Sequence, residues 1–281
     1  MRTPEQARDA IAQIAANFEI SPGRTWRSLD DTTNQPIISS HSTLPQAWPG
    51  WQRSYDYYPE SDLIWLDADT KIRELSKGQK SLDDFAKLFF GINNGSYITV
   101  TYSLEVLIEM MNKVQPYDWK NFFQTRVYEV APKVPENGIA QGGYRLMYND
   151  SEPDWVKHMD KSRPMRFDTS LGLSVTIGGD DDSDAGPGTI TEVLWDGPAF
   201  KAGITPGMRL QAINDQAFSV ASLRDAIIAG EKDSARIKLL LKRDKDFITV
   251  MLDYHGGFRY PHLERVGSTS DLLDLVLAPV N

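Results

Sequence analysis

The sequence predicts an α+β multidomain chain, with an N-terminal all-α lobe of about five helices followed by a small β-barrel-like domain. Three observations predict it. Residues 1–130 carry apolar side chains at helical spacing behind identifiable caps. The composition changes near Pro132. From Arg166 onward, short β-branched or aliphatic runs are separated by turn formers. These set the expected boundaries: a helical lobe over 1–130, a connector with a short strand pair over 131–164, the β domain over 165–256 and a tail over 257–281.

Taken in order, Thr3-Pro4-Glu5-Gln6 is a capping box with proline at the first helical position. Ala7, Ile11, Ile14, Ala15 and Phe18 then form one apolar face, and Ser21-Pro22-Gly23 ends the helix. Residues 24–54 have little periodicity and hold Trp26, Trp48 and Trp51, which reads as an ordered loop excursion pinned by tryptophans. The chain is organised around the next stretch, an aromatic turn (Tyr55, Tyr57, Tyr58) running into an apolar helix that starts at Pro59. Glu60 and Asp62 lie in its first turn, where the helix dipole favours negative charge. Leu63, Ile64, Trp65, Leu66, Ala68, Ile72 and Leu75 cover more than one face, so this helix is expected to be buried.

Gly78 suits its C-terminal cap, and Ser81 caps a helix whose inner side is Leu82, Phe85, Ala86, Phe89 and Phe90. Thr101 or Ser103 caps another with Leu104, Leu107, Ile108 and Met111, and Pro116-Tyr117-Asp118 opens the last. The alternation of Tyr144, Leu146 and Tyr148 suggests a strand pair within 138–148. Strands follow over 167–177, 189–194, 208–213, 237–242 and 247–252, with helices at 198–203 and 222–228.

The 281 residues are 41% hydrophobic and 25% charged, the balance of a soluble globular chain rather than a disordered one. A net charge of −9 argues against a general nucleic-acid partner. No apolar run approaches the roughly 20 residues of a membrane span. The absence of cysteine excludes disulfides, thiolate metal sites and cysteine nucleophiles, and it suits cytoplasm and periplasm equally. A helix cap at residue 3 with no leader pattern before it reads as a chain cut from something longer.

Two family resemblances sit on this framework. Ser170-Leu171-Gly172-Leu173-Ser174-Val175 is similar to the Gly-Leu-Gly-Phe loop and following strand of PDZ domains. The run from Gly197-Pro198-Ala199 through Ala202-Gly203-Ile204 to Gly207-Met208-Arg209-Leu210 and Ile213-Asn214 follows the same family's pattern. Ser170 stands where the loop's first glycine is common, and Met208 replaces the usual aspartate. The resemblance implies that a peptide or protein C-terminus adds as a strand at Leu171, Gly172, Leu173, Ser174 and Val175, its carboxylate received by loop N–H groups. Whether that groove is free or filled by the protein itself stays open.

The stretches Arg24–Thr32, Trp51–Glu60, Leu63–Glu74 and Ser81–Phe85, with Tyr260-Pro261-His262-Leu263-Glu264-Arg265 in the tail, resemble the C-terminal half of the glycyl aminopeptidase family. These are zinc metallopeptidases of the thermolysin-like group that end in a PDZ domain. The resemblance implies peptide hydrolysis with an N-terminal Gly or Ala preference, zinc in the full-length enzyme, and a missing N-terminal catalytic lobe as partner. It also assigns Tyr58, with Tyr57 as the alternative, to hydrogen-bond the oxyanion of the tetrahedral intermediate. Ser61 stands where that motif usually has glycine.

Such enzymes hold zinc through His-Glu-x-x-His and a further glutamate. The histidines here are His41, His158, His255 and His262, none with a partner at helical spacing. No metal site is therefore expected in this chain, and in isolation it is expected to be inactive. Asp180, Asp182 and Asp184 alternate as in a calcium loop, but Ala185 and Thr191 stand where glycine and glutamate are needed, which favours a solvated hairpin tip. The alternative to an enzyme portion is a non-enzymatic scaffold whose working part is the PDZ groove.

Overall fold

The computed structural model describes residues 3–39, 48–93, 95–130, 135–157, 164–177, 188–267 and 271–278. Helix α1 (Pro4–Glu19) begins at the predicted box: Thr3 accepts from the Gln6 N–H, and the Gln6 side chain accepts from the Thr3 N–H. The tryptophan-bearing segment is more helical than its sequence suggests. After a 3-10 turn (Pro22–Thr25) come α2 (Leu29–Thr32), α3 (Gln35–Ser39) and α4 (Pro49–Gln52). Each is about one turn, too short to print an apolar period, and so the lobe holds more helices than expected.

Helix α5 (Pro59–Leu75) is central. It buries Leu63, Ile64, Leu66, Ala68 and Ile72, and also Glu60, Asp67 and Asp69. The buried acids have partners, as buried charge requires. Arg126 Nε donates to Asp67 Oδ2 at 2.8 Å, and the Leu82 N–H donates to Asp69 Oδ1 at 2.7 Å. Gly78, at φ +77°, closes the helix as predicted. Helices α6 (Leu82–Phe90), α7 (Leu104–Val114) and α8 (Trp119–Phe123) follow, with Ser81, Ser103 and Asp118 at their N-caps. Their inner faces, with Leu29, Ile64 and Ile72, make one core around fully buried Trp119 and Met111.

The strand pair expected within 138–148 does not form. Asn137–Gln141 is helix α9, and Tyr144–Asn149 is strand β1. Its partner is β9 (Tyr260–Arg265) in the tail, antiparallel, with Tyr144 opposite Arg265 and Asn149 opposite Tyr260. Alternation identifies a strand but not its neighbour. The tail then adds α13 (Leu272–Leu277), whose Leu273 is fully buried with Ala15, Phe18, Leu63, Leu66, Ile139 and Tyr144. The chain's last segment thus completes a core begun by its first helix.

Between these lie α10 (Asp154–Lys157) and the β domain. Strands β2 (Met165–Phe167), β3 (Leu173–Val175) and β4 (Ile190–Val193) form one sheet in the order β2-β3-β4. Helix α11 (Pro198–Lys201) follows. Then β5 (Arg209–Ile213), β6 (Gln216–Ala217), β7 (Ile237–Arg243) and β8 (Asp246–Leu252) form a second sheet, ordered β6-β5-β7-β8. Helix α12 (Val220–Asp233) lies between β6 and β7 in the chain.

The expected barrel is corrected to two open sheets. Among the described residues, they meet at the bridge Thr189–Arg209 and through backbone hydrogen bonds, the Ile190 N–H donating to the Met208 carbonyl at 2.8 Å and the Leu210 N–H to the Gly188 carbonyl at 2.9 Å. A shared apolar core also holds them together: Phe167, Leu171, Leu173 and Val175 with Leu210, Leu223, Ile227, Leu239 and Leu252. No described helix is long and apolar enough to cross a membrane.

Candidate functional site

The aromatic turn owes its position to charge buried beneath it. Glu60 Oε1 pairs with Arg24 and Oε2 with Arg53, and all three side chains are almost wholly buried. Arg53 also donates to Asp56 Oδ2 at 2.7 Å and to the Arg27 carbonyl at 2.8 Å. Arg27 donates to Gln35 Oε1 and to the Arg53 carbonyl, both at 2.9 Å. Burial pushes the Glu60 carboxyl above its ordinary range, against the opposing pull of Arg24 and Arg53. This lattice joins the 3-10 turn, α2, α3 and the start of α5. Gly23 lets it close, since a Cβ there would stand 2.8 Å from the Trp51 carbonyl oxygen.

On this base the turn 55–58 projects outward. Tyr58 is the N-cap of α5, and its carbonyl accepts from Ser61 Oγ at 2.7 Å. Its ring is 68% exposed. Tyr57 leans inward against the helical core and meets the Tyr58 ring at a tilt of 40°, with centroids 4.5 Å apart. Burial, then the neighbouring Tyr58, raise the Tyr57 hydroxyl pKa above the ordinary phenol value. The Tyr55 hydroxyl meets Ser39 Oγ at 2.9 Å. Exposed Ile37 and Ile38 on α3 also belong to residues 1–60, and a second run of exposed apolar side chains includes Phe90, Tyr97, Ile98 and Tyr102.

The tryptophans do not back the tyrosines. Trp48 packs edge-on against Trp195 and Phe200 of the β domain at 5.6 and 5.3 Å, and Trp51 meets Trp195 at 5.7 Å. They form an aromatic seam between the lobe and the β domain.

Leu171, Gly172, Leu173, Ser174 and Val175 lie together as a tight turn running into β3, all of them buried. Gly172, at φ +74°, faces Gly197 and Pro198, where a Cβ would stand 3.3 Å from the proline ring. A cavity of about 690 Å³ opens between the end of α1 and this turn, lined by Glu19, Pro22, Ser170, Trp195, Tyr254 and Arg259.

Of the histidines, His255 contacts the Gly230 carbonyl and Asp253, and His262 contacts the Ser151 carbonyl at 2.8 Å and Asp9 at 3.4 Å. His41, His158 and the Asp180–Asp184 run lie outside the described residues. Among the described residues, no three His, Asp or Glu side chains gather as metal ligands.

Sequence reasoning placed Tyr58 at a helix mouth and Leu171–Val175 on a turn and strand. It missed Arg24, Arg27 and Arg53, whose clustering within an otherwise aperiodic segment was the available signal.

Residues 162–242 match the PDZ domain family. The chain is also similar in fold to the crystal structure of an aminopeptidase N family protein from Idiomarina loihiensis, with a TM-score of 0.67 and 14% identity. The match covers 99% of this chain and 45% of that one, so the chain spans less than half the length of its structural neighbour. No curated protein sequence matches at a significant level.

Proposed function

We propose that this chain is the C-terminal portion of a zinc-dependent aminopeptidase resembling the glycyl aminopeptidases, acting on peptides with N-terminal glycine or alanine. The observation that carries the reading is the alignment of nearly the whole chain with part of an aminopeptidase N family protein. The geometry at the mouth of α5 supports it further. A phenol O–H donor on a fixed base is suited to a charge that develops only in the transition state, because little must reorganise when it forms. Tyr58 is the exposed member of the pair and takes the role of oxyanion donor, with the tilted Tyr57 ring packed against it. The exposed apolar residues Ile37, Ile38, Tyr55 and Phe90 are assigned to contact with the N-terminal catalytic lobe.

The described residues do not fit the zinc this family implies: no three His, Asp or Glu side chains among them gather as ligands, and His255 and His262 each contact other partners. The metal is therefore assigned to the rest of the enzyme, and no step is routed through it here. The purified chain is expected to release no glycine from an N-terminal glycyl peptide, measured by chromatography of the products; turnover by this chain alone would overturn the reading. The second reading, a non-enzymatic PDZ scaffold, is favoured by the PDZ match over 162–242. Sequencing the gene upstream separates the two, since only the enzyme requires a His-Glu-x-x-His motif there.

A further inference from the structure

A peptide joins a PDZ domain by pairing with an unoccupied strand edge. The strand concerned here is β3, and a strand has two edges. β4 takes one: Leu173 pairs with Val193, Ser174 with Glu192 and Val175 with Ile190. β2 takes the other: Phe167 pairs with Leu173, Arg166 with Ser174 and Met165 with Val175. Every residue of β3 is paired on both sides.

The way β2 fills its edge matches what a ligand would have to do. The receiving turn lies at the N-terminal end of β3, so a strand ending there must run antiparallel, and β2 does. The Phe167 carbonyl oxygen accepts from the Ser170 N–H at 3.2 Å and from the Gly172 N–H at 2.9 Å. It occupies a turn amide that a terminal carboxylate would otherwise use. The Phe167 side chain, 3% exposed, lies in the same core as Leu223, Ala226 and Ile227 of α12. The Asp168 carboxylate sits at the turn, accepts from the Thr169 N–H at 3.0 Å and pairs with the Arg166 guanidinium, fastening β2 to the turn. From the tail, the Arg259 N–H donates to Ser170 Oγ at 3.1 Å, and Thr169 Oγ1 donates to the Arg259 carbonyl.

We infer that the PDZ groove is occupied in cis by Met165–Phe167, a built-in ligand strand, and that the domain is a fixed brace instead of a receptor for free C-termini. The tether from Phe167 to Leu173 is so short that a competing peptide faces an effective concentration on the order of millimolar or more. Arg166, the outward residue of the strand, donates to Asn17 of α1 at 2.7 Å, so the filled groove also ties the β domain to the helical lobe. This inference does not depend on the peptidase reading, and it excludes the scaffold reading in which the open groove is the working part.

The test uses the unaltered chain and nuclear magnetic resonance. Amide exchange at Leu173, Ser174 and Val175 is expected to be slowed within about tenfold of that at Leu239 and Leu241, which are paired on both sides in the second sheet. Millimolar pentapeptides ending in free valine, leucine, phenylalanine or alanine are expected to leave those three amide resonances in place. Fast exchange along one edge of β3, or a saturable shift of its resonances by any of the peptides, would overturn cis occupancy.

Discussion

Glu60 shows how far a residue's role can lie from its local rule. At the first turn of a helix an acid suits the dipole, and the sequence supports no more than that. In the fold Glu60 is buried between Arg24 and Arg53, 36 and 7 residues away, and no local pattern reveals partners at such separations. Removing one member of a buried ionic cluster leaves the others uncompensated, typically at about 3–5 kcal/mol. Glu60→Ala is expected to lose that much in urea unfolding; a loss near zero would mean that the arginines find other partners.

His255 supplies the pH-sensitive counterpart. The Gly230 carbonyl first, and the Asp253 carboxylate second, accept from its ring nitrogens and raise its pKa above the ordinary value of 6.5. A raised histidine favours the folded state most below the unfolded pKa, and the benefit fades as pH climbs through the folded pKa. A proton NMR titration is expected to place the midpoint above 6.5, and Asp253→Asn to lower it.

At the scale of elements, the helices with caps were legible, and the segments whose partners are remote were not. Thr3, Ser81 and Asp118 announce α1, α6 and α8 because a side-chain acceptor for free N–H groups is a local device. Strand β1 could be read from its alternation, but its pairing with β9 spans more than a hundred residues. Residues 138–141, expected within the strand pair, are helical because what selects α9 is its packing on α5. At Gly138 a Cβ would stand 2.6 Å from the Asp67 backbone nitrogen, so the two backbones meet where only glycine fits. Gly138→Ala is expected to cost about 1–3 kcal/mol by overpacking. Thermal unfolding with an unchanged midpoint would contradict the close crossing.

Across the whole molecule, chain order and spatial order differ. The tail packs into the helical lobe through β9 and α13, while Trp48 and Trp51 of the lobe reach the β domain at Trp195. The turn at Tyr55–Tyr58 is thus held from beneath by arginines, and its flanking tryptophans are anchored in another domain. The candidate site was half legible: Tyr58 and the Leu171–Val175 stretch could be named from motifs, whereas the ionic base and the filled edge of β3 are consequences of tertiary pairing.

The central proposal is that Tyr58 is a catalytic donor within a larger peptidase, and its most direct test is steady-state kinetics on the longer enzyme that the proposal places around this chain. With a glycyl peptide as substrate, Tyr58→Phe is expected to lower kcat by about 10²–10³, the loss typical of one oxyanion donor, with KM little changed. An unchanged kcat in Tyr58→Phe would contradict the account.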